Sequence, residues 1–157
     1  MADLAALIGL EASFPGDRMS AADLARFVEA PNADVWVAER EDAVIADAIV
    51  VYGRGSHVAR LCTIAVDVGF RGRGVGTRLM RHLELEAARR GCGAMRLEVR
   101  VDNLAARRLY EALGYELMGT RAGYYEDGSA AQHLRKPLGR DRLRRPSLSG
   151  AGRRGAA

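Results

Sequence analysis

Lysine is almost absent from this chain: of 24 basic side chains in 157 residues, only Lys136 is not an arginine. So strong a skew reads as the base composition of the coding genome and carries no function by itself. Cysteine is equally sparse. Cys62 and Cys92 stand alone, in neither a CxxC nor any other metal-ligand spacing, which excludes a disulfide framework and offers a metal no thiolate site. Long apolar runs are also missing. The best candidate, Ala43–Tyr52, has half the roughly 20 residues that a bilayer span needs and is broken by Asp47. The opening Met1-Ala2-Asp3-Leu4 lacks the basic start of a secretory leader. These absences predict a protein without membrane contact, at home in a reducing cytoplasm. What is present, 48% hydrophobic and 28% charged residues, suits one soluble domain that buries a core without disulfides or structural metal, and excludes disorder along the whole chain.

The net charge of +4 is unevenly spread. Residues 139–157 hold six arginines against Asp141, a net +5, so residues 1–138 carry −1. The basic excess belongs to an appendage of Gly, Pro, Ser, Ala and Arg with few large apolar side chains, and residues 139–157 are expected to be a disordered tail beside a domain at 1–138. A solvated tail is the favoured reading. Attraction to nucleic acid or the ribosome through those arginines is the less favoured one.

Along the domain, Leu4, Leu7, Ile8 and Ala12 keep a helical period, and Ser20 with Asp23 forms a capping signal ahead of Leu24, Phe27 and Val28. Pro31-Asn32 stops that helix. Three strands follow, over 35–39, Ala43–Tyr52 and 57–66, the first two joined by a turn at Glu41-Asp42. Val75, Leu79, Met80, Leu83 and Ala87 then mark one face of a long helix that ends at Gly91. A strand over 95–101 leads to a helix capped by Asp102 or Asn103, with Ala106, Leu109, Tyr110 and Leu113 on its apolar stripe and Gly114 past its end. Strands over 115–124 and 130–138, joined through Glu126-Asp127-Gly128-Ser129, complete the set.

The chemistry concentrates in Arg71-Gly72-Arg73-Gly74-Val75-Gly76, between an apolar strand and an amphipathic helix. A P-loop would need Gly-Lys-Ser/Thr here, and a Rossmann fingerprint would need Gly at 77, which is Thr. Both nucleotide folds are disfavoured. A short-side-chain run at a helix N-terminus still converges backbone N–H groups on an anion, with a pyrophosphate as the natural guest and a solvated turn as the plain alternative.

Taken with Ile64-Ala65-Val66, Leu97-Glu98-Val99-Arg100, Asn103, Leu109-Tyr110 and Gly114-Tyr115, the motif Arg71-x-x-Gly74-x-Gly76 resembles the GNAT N-acetyltransferase superfamily. Within it the pattern is most similar to the bacterial enzymes that acetylate the N-terminal alanine of ribosomal protein S18. The resemblance implies an α/β fold whose mixed, mostly antiparallel sheet is flanked by helices and splayed at an acetyl-CoA cleft. Ile64, Ala65 and Val66 would offer backbone groups to the pantetheine arm. Arg71, Gly72, Arg73, Gly74, Val75, Gly76 and Thr77 would cradle the pyrophosphate. Asn103 would contact the cofactor, or serve only as a helix cap.

Glu98 and Tyr110 match the family's general base and general acid. Amide formation from a thioester requires removal of a proton from the attacking amine and delivery of one to the departing thiolate; a carboxylate suits the first, and a phenol, protonated at pH 7, suits the second. Each has a plain alternative: for Glu98 an ion pair with Arg96 or Arg100, for Tyr110 a place in the core. The implied acceptor is a protein or peptide α-amine, the runner-up a small amine such as a polyamine or amino sugar, and the rival from another class a non-catalytic acyl-CoA-binding module. No metal is expected; His82 and Glu86, four apart on a helix, lack a third ligand. The aromatic and acidic Tyr124-Tyr125-Glu126-Asp127 would suit a cationic amine, or is simply a turn.

Overall fold

The computed structural model describes residues 20–139 except Arg54 and Ser56. The helix expected around Leu4–Ala12 and the arginine-rich segment beyond Gly139 lie outside the described residues. Helix α1 (Ala21–Glu29) precedes strands β1 (Ala33–Arg40), β2 (Ala43–Tyr52) and β3 (Val58–Val66). Then come α2 (Val75–Arg89), β4 (Ala94–Arg100), α3 (Leu104–Ala112), β5 (Glu116–Arg121) and β6 (Ala131–Pro137). The strands form one six-stranded sheet in the order β1-β2-β3-β4-β6-β5, antiparallel except between β3 and β4. This is the mixed, mostly antiparallel and helix-flanked sheet that the resemblance implies.

Local chemistry sets the element ends. Ser20 Oγ accepts from the Asp23 N–H at 3.1 Å and caps α1, as its spacing predicts. Gly91 and Gly114, both at positive φ, close α2 and α3 in the same way. In each helix the N–H of the residue after the glycine returns to a carbonyl five residues back, Cys92 to Ala87 at 2.9 Å and Tyr115 to Tyr110 at 3.0 Å. Glu41 and Asp42, both in the left-handed region, make the tight turn between β1 and β2.

The sheet has two different faces. Ala46, Ala48 and Ala59 on the central strands leave room for α2 to lay Leu79, Met80, Leu83 and Ala87 against Val50, Leu61, Met95 and Leu97 in the main core. On the opposite face Leu24 of α1 packs with Ile49, Phe27, Val28, Val35, Val37 and Cys62 in a smaller cluster. Asp47 is fully buried in the middle of β2.

The last hairpin departs from expectation. The strand expected over 115–124 stops at Arg121, because Gly123 turns the chain at positive φ and the N–H groups of Tyr124 and Tyr125 both donate to the Ser129 carbonyl. Residues 122–130 therefore form a closed loop instead of a short turn between long strands. Inside β5 the register jumps from Leu117↔Leu134 to Gly119↔His133, so Met118 is an extra, exposed residue on an edge strand.

The single lysine ties α2 to the sheet. Lys136 Nζ lies 2.7 Å from Glu84 Oε1, and the Tyr115 hydroxyl donates to Glu84 Oε2 at 2.8 Å, both inside the fold. Removing the cation strands a buried carboxylate. Lys136→Met is expected to destabilise the fold by about 3–5 kcal/mol, whereas Glu84→Leu combined with Lys136→Met recovers most of that loss, because a buried ion pair is replaceable by apolar packing but not by half of itself. Denaturant unfolding of the two variants checks this.

Candidate active site

β3 and β4 pair only from Val58↔Ala94 to Leu61↔Leu97. Beyond that point no ladder joins them, although β3 continues to Val66 and β4 to Arg100. The divergence coincides with a bulge: Val50 faces Leu61 and Ile49 faces Thr63, leaving Cys62 as an extra residue that bends β3 away.

Three segments meet at the far end of the opening. A Cβ built on Gly76 would lie 3.6 Å from Leu109 Cδ2 and 3.8 Å from Val66 Cγ2, so the first turn of α2 sits between the end of β3 and the side of α3. That turn is prepared for an anion. Gly74 occupies the N-cap position at φ +82° with no side-chain capping bond, and the first turn holds no acid. The first intrahelical bond there is the Arg78 N–H to the Gly74 carbonyl, so the N–H groups before it point out of the helix end. Gly72, at φ +76°, gives the loop its left-handed bend. Arg71 helps to build the loop: its Nε donates to the Val66 carbonyl at 3.0 Å. The Arg73 guanidinium lies 5.2 Å from the centroid of the Phe70 ring.

The structure uses the Asn103 side chain as the cap of α3, its Oδ1 accepting the Ala106 N–H at 3.1 Å. Glu98 is the first β4 residue past the last β3 pair, and it faces away from the core that holds its neighbours Leu97 and Val99. Its partners only partly match the sequence reading. Arg96 Nη1 lies 3.1 Å from Oε2 as anticipated, but Arg100 turns instead to Asp102, Asp127 and Ser129. The main partner is Arg60, which reaches from β3 with Nη2 at 2.7 Å and Nε at 3.0 Å from Oε1. His133 Nδ1 on β6 is 3.3 Å from Oε2.

Neither Arg60 nor His133 was legible as a site residue. Strand pairing alone brings them to Glu98, and nothing local in the sequence marks them. Burial would by itself push the Glu98 carboxyl up, but the hydrogen bonds and charge of Arg60, with help from His133 and Arg96, hold it below the usual carboxylate range.

Tyr110 belongs to the other face of the sheet. It is 5% exposed in the main core, with its ring edge-on to Tyr115 at 5.7 Å between centroids. Burial, reinforced by the nearby Tyr125, pushes its phenol well above the ordinary value, so it stays protonated and able to donate. The loop proposed for a cationic amine is already engaged: Asp127 pairs with Arg100, whose guanidinium also lies 4.9 Å from the centroid of the Tyr125 ring. Among the described residues no group of three or more His, Cys, Asp or Glu could hold a metal ion.

A sheet opened between two parallel strands, with a glycine-capped helix aimed at the opening, is the arrangement of one enzyme class. The chain belongs to the acetyltransferase (GNAT) family, whose model matches residues 4–115. Over 78 residues, 49% of this chain and 48% of the relative, it is 45% identical to the N-alpha-acetyltransferase RimI of Mycobacterium tuberculosis. The chain spans about half the length of the curated relatives of this type that it matches. Among solved structures, the ribosomal-protein-S18-alanine N-acetyltransferase of Escherichia coli superposes with a TM-score of 0.79 at 30% identity, covering 87% of this chain and 88% of that one. Ard1 from Thermoplasma volcanium superposes with a TM-score of 0.78 at 25% identity over 86% and 90% of the two chains.

The residues at the opening fit acetyl-CoA. The uncapped N–H groups of α2 complement its pyrophosphate, and Gly76 leaves space that the fold does not need. Its φ is ordinary and its missing Cβ would meet only van der Waals contacts. Gly76→Ala is therefore expected to leave the fold intact or stabilise it by up to about 1 kcal/mol. Acetyl-CoA binding should weaken in the same variant, a split that thermal unfolding and calorimetry read together. Glu98 sets a second expectation. Because its folded-state pKa is lowered, it adds stability that is fully present above an unfolded-chain value of about 4.3 and is lost as pH falls through the folded value. Unfolding free energies followed down from about pH 5 should fall less steeply in Glu98→Gln than in wild type.

Proposed function

We propose that this chain transfers the acetyl group of acetyl-CoA to the N-terminal α-amine of a protein or peptide. The uncapped N-terminus of α2 at the divergence of β3 and β4 carries the cofactor half of that reading. The acceptor half is supported by the likeness to the S18-alanine N-acetyltransferase of Escherichia coli. Chemistry points the same way, since an α-amine, with a pKa of about 7.7–8.0 against about 10.4 for lysine, costs roughly 3.4 kcal/mol less to neutralise.

Acetyl-CoA supplies the acetyl group as an activated thioester. The backbone of residues 72–77 holds its pyrophosphate, and β3 beyond Leu61, which has no β4 partner and whose Val66 carbonyl accepts from Arg71 Nε, takes the pantetheine arm alongside it as an added strand would lie. Tyr110, kept protonated by burial, gives its phenolic proton to the departing thiolate. Glu98 holds a negative charge at the mouth of the opening, where the proton of the attacking amine must leave.

A panel of peptides with free and blocked N-termini, together with polyamines and amino sugars, scored for CoA release, tests the reading. Free peptides should turn over and blocked ones should not. Turnover of the small amines alone would replace this acceptor. Tyr110→Phe is expected to lower kcat by about 10²–10⁴-fold with acetyl-CoA affinity unchanged, checked by steady-state kinetics beside calorimetry.

A further inference from the structure

Glu98 is poorly placed to take a proton itself. Oε1 accepts two N–H groups of Arg60, Oε2 accepts one from Arg96 and faces His133 Nδ1, and the side chain is only 7% exposed. A carboxylate so enclosed by donors is a weak base, and the amine would have to displace one of these partners to reach it. His133 is different: its side chain is 34% exposed, and it offers a second ring nitrogen. An imidazole that donates Nδ1–H to a carboxylate keeps the lone pair on Nε2, which is how a carboxylate can orient a histidine base.

From this geometry we propose that His133 is the catalytic residue that accepts the proton of the attacking amine, and that Glu98 is the positioning residue that fixes its tautomer. The inference rests on the acetyl-transfer reading above and identifies the base of that reaction. The imidazole meets Glu98 on β4 and the Tyr124 ring, edge-on at 5.8 Å, while Arg60 on β3 and Arg96 on β4 hold the same Glu98 carboxylate. On β5 its register partner is Gly119, which brings no side chain, and nothing lies within 4 Å of where its Cβ would be. On its β5 side, therefore, no side chain of the register partner covers His133. As the carbon–nitrogen bond forms and the carbon–sulfur bond breaks, one N–H proton passes to His133 Nε2 and the thiolate takes the Tyr110 proton. The imidazolium then releases its proton to solvent, and solvent reprotonates the phenolate.

The test compares wild type with His133→Ala and Glu98→Gln. His133→Ala should lose about 10²–10⁴-fold in kcat at unchanged acetyl-CoA affinity, and imidazole added to the buffer should recover at least about tenfold of it. The same additive should do nothing for Tyr110→Phe. In ¹⁵N spectra of the resting wild type, His133 should carry its proton on Nδ1, and Glu98→Gln should remove that preference. Wild-type turnover in His133→Ala, a loss that imidazole leaves unrepaired, or a proton on Nε2 at rest would each overturn the assignment while acetyl transfer stands. A wild type that binds acetyl-CoA yet acetylates nothing in the panel overturns the underlying reading, and the assignment with it.

Discussion

The site depends on the point where β3 and β4 stop pairing. Two parallel strands joined along their whole length would present a closed surface, with no place for a ligand to lie between them. Here the ladder ends at Leu61↔Leu97, and the extra residue Cys62 supplies the bend that parts the strands. Arg60 and Glu98 bridge the vertex. The guanidinium comes from the last paired stretch of β3 and the carboxylate from the first unpaired residue of β4, so their 2.7 Å contact clasps the sheet where it begins to open.

Everything behind that vertex supports the opening from one side. Small alanines on β2 and β3 let α2 approach closely, and this sets its N-terminus against Val66 and Leu109. The buried Glu84, bonded by Lys136 and Tyr115, ties the middle of α2 to β6 and to the segment between α3 and β5. Exposed pairs such as Arg26–Asp23 are a different kind of contact, since water screens them and each contributes at most about 1 kcal/mol. A few enclosed groups thus hold the helix whose end faces the cleft.

The same enclosure gives two titratable groups opposite tendencies. Glu98 is surrounded by donors and is held as an anion; Tyr110, buried among apolar side chains and other phenols, is held neutral. They stand on opposite faces of the sheet, Glu98 on the first unpaired residue of β4 and Tyr110 in the main core. In the reaction proposed above, the enclosed anion fixes the tautomer of His133 and the enclosed phenol supplies a proton.

Much of this was already legible in the residues. The helices follow from apolar spacing and from glycines that no other residue replaces cheaply at positive φ, so α1 starts where Ser20 predicts and α2 and α3 stop where Gly91 and Gly114 predict. The glycine-rich turn at 71–77 before α2 was readable because its signal is local, carried by glycines and by a helix start with no side-chain cap. Strand neighbours were not readable. Arg60 and His133 reach Glu98 only through pairings across 38 and 35 residues, and Arg100 leaves Glu98 for a loop that folds back from beyond β5. Nor could alternation alone locate the bulge at Cys62, since a local pattern records which way each side chain faces but not where one strand gains a residue on its neighbour. The sequence by itself determined helices α1 to α3, their caps and the glycine-rich turn before α2, because these depend on contacts a few residues apart. Only the tertiary structure decided which charges surround Glu98 and where the sheet opens, because those depend on the register between strands distant in the chain.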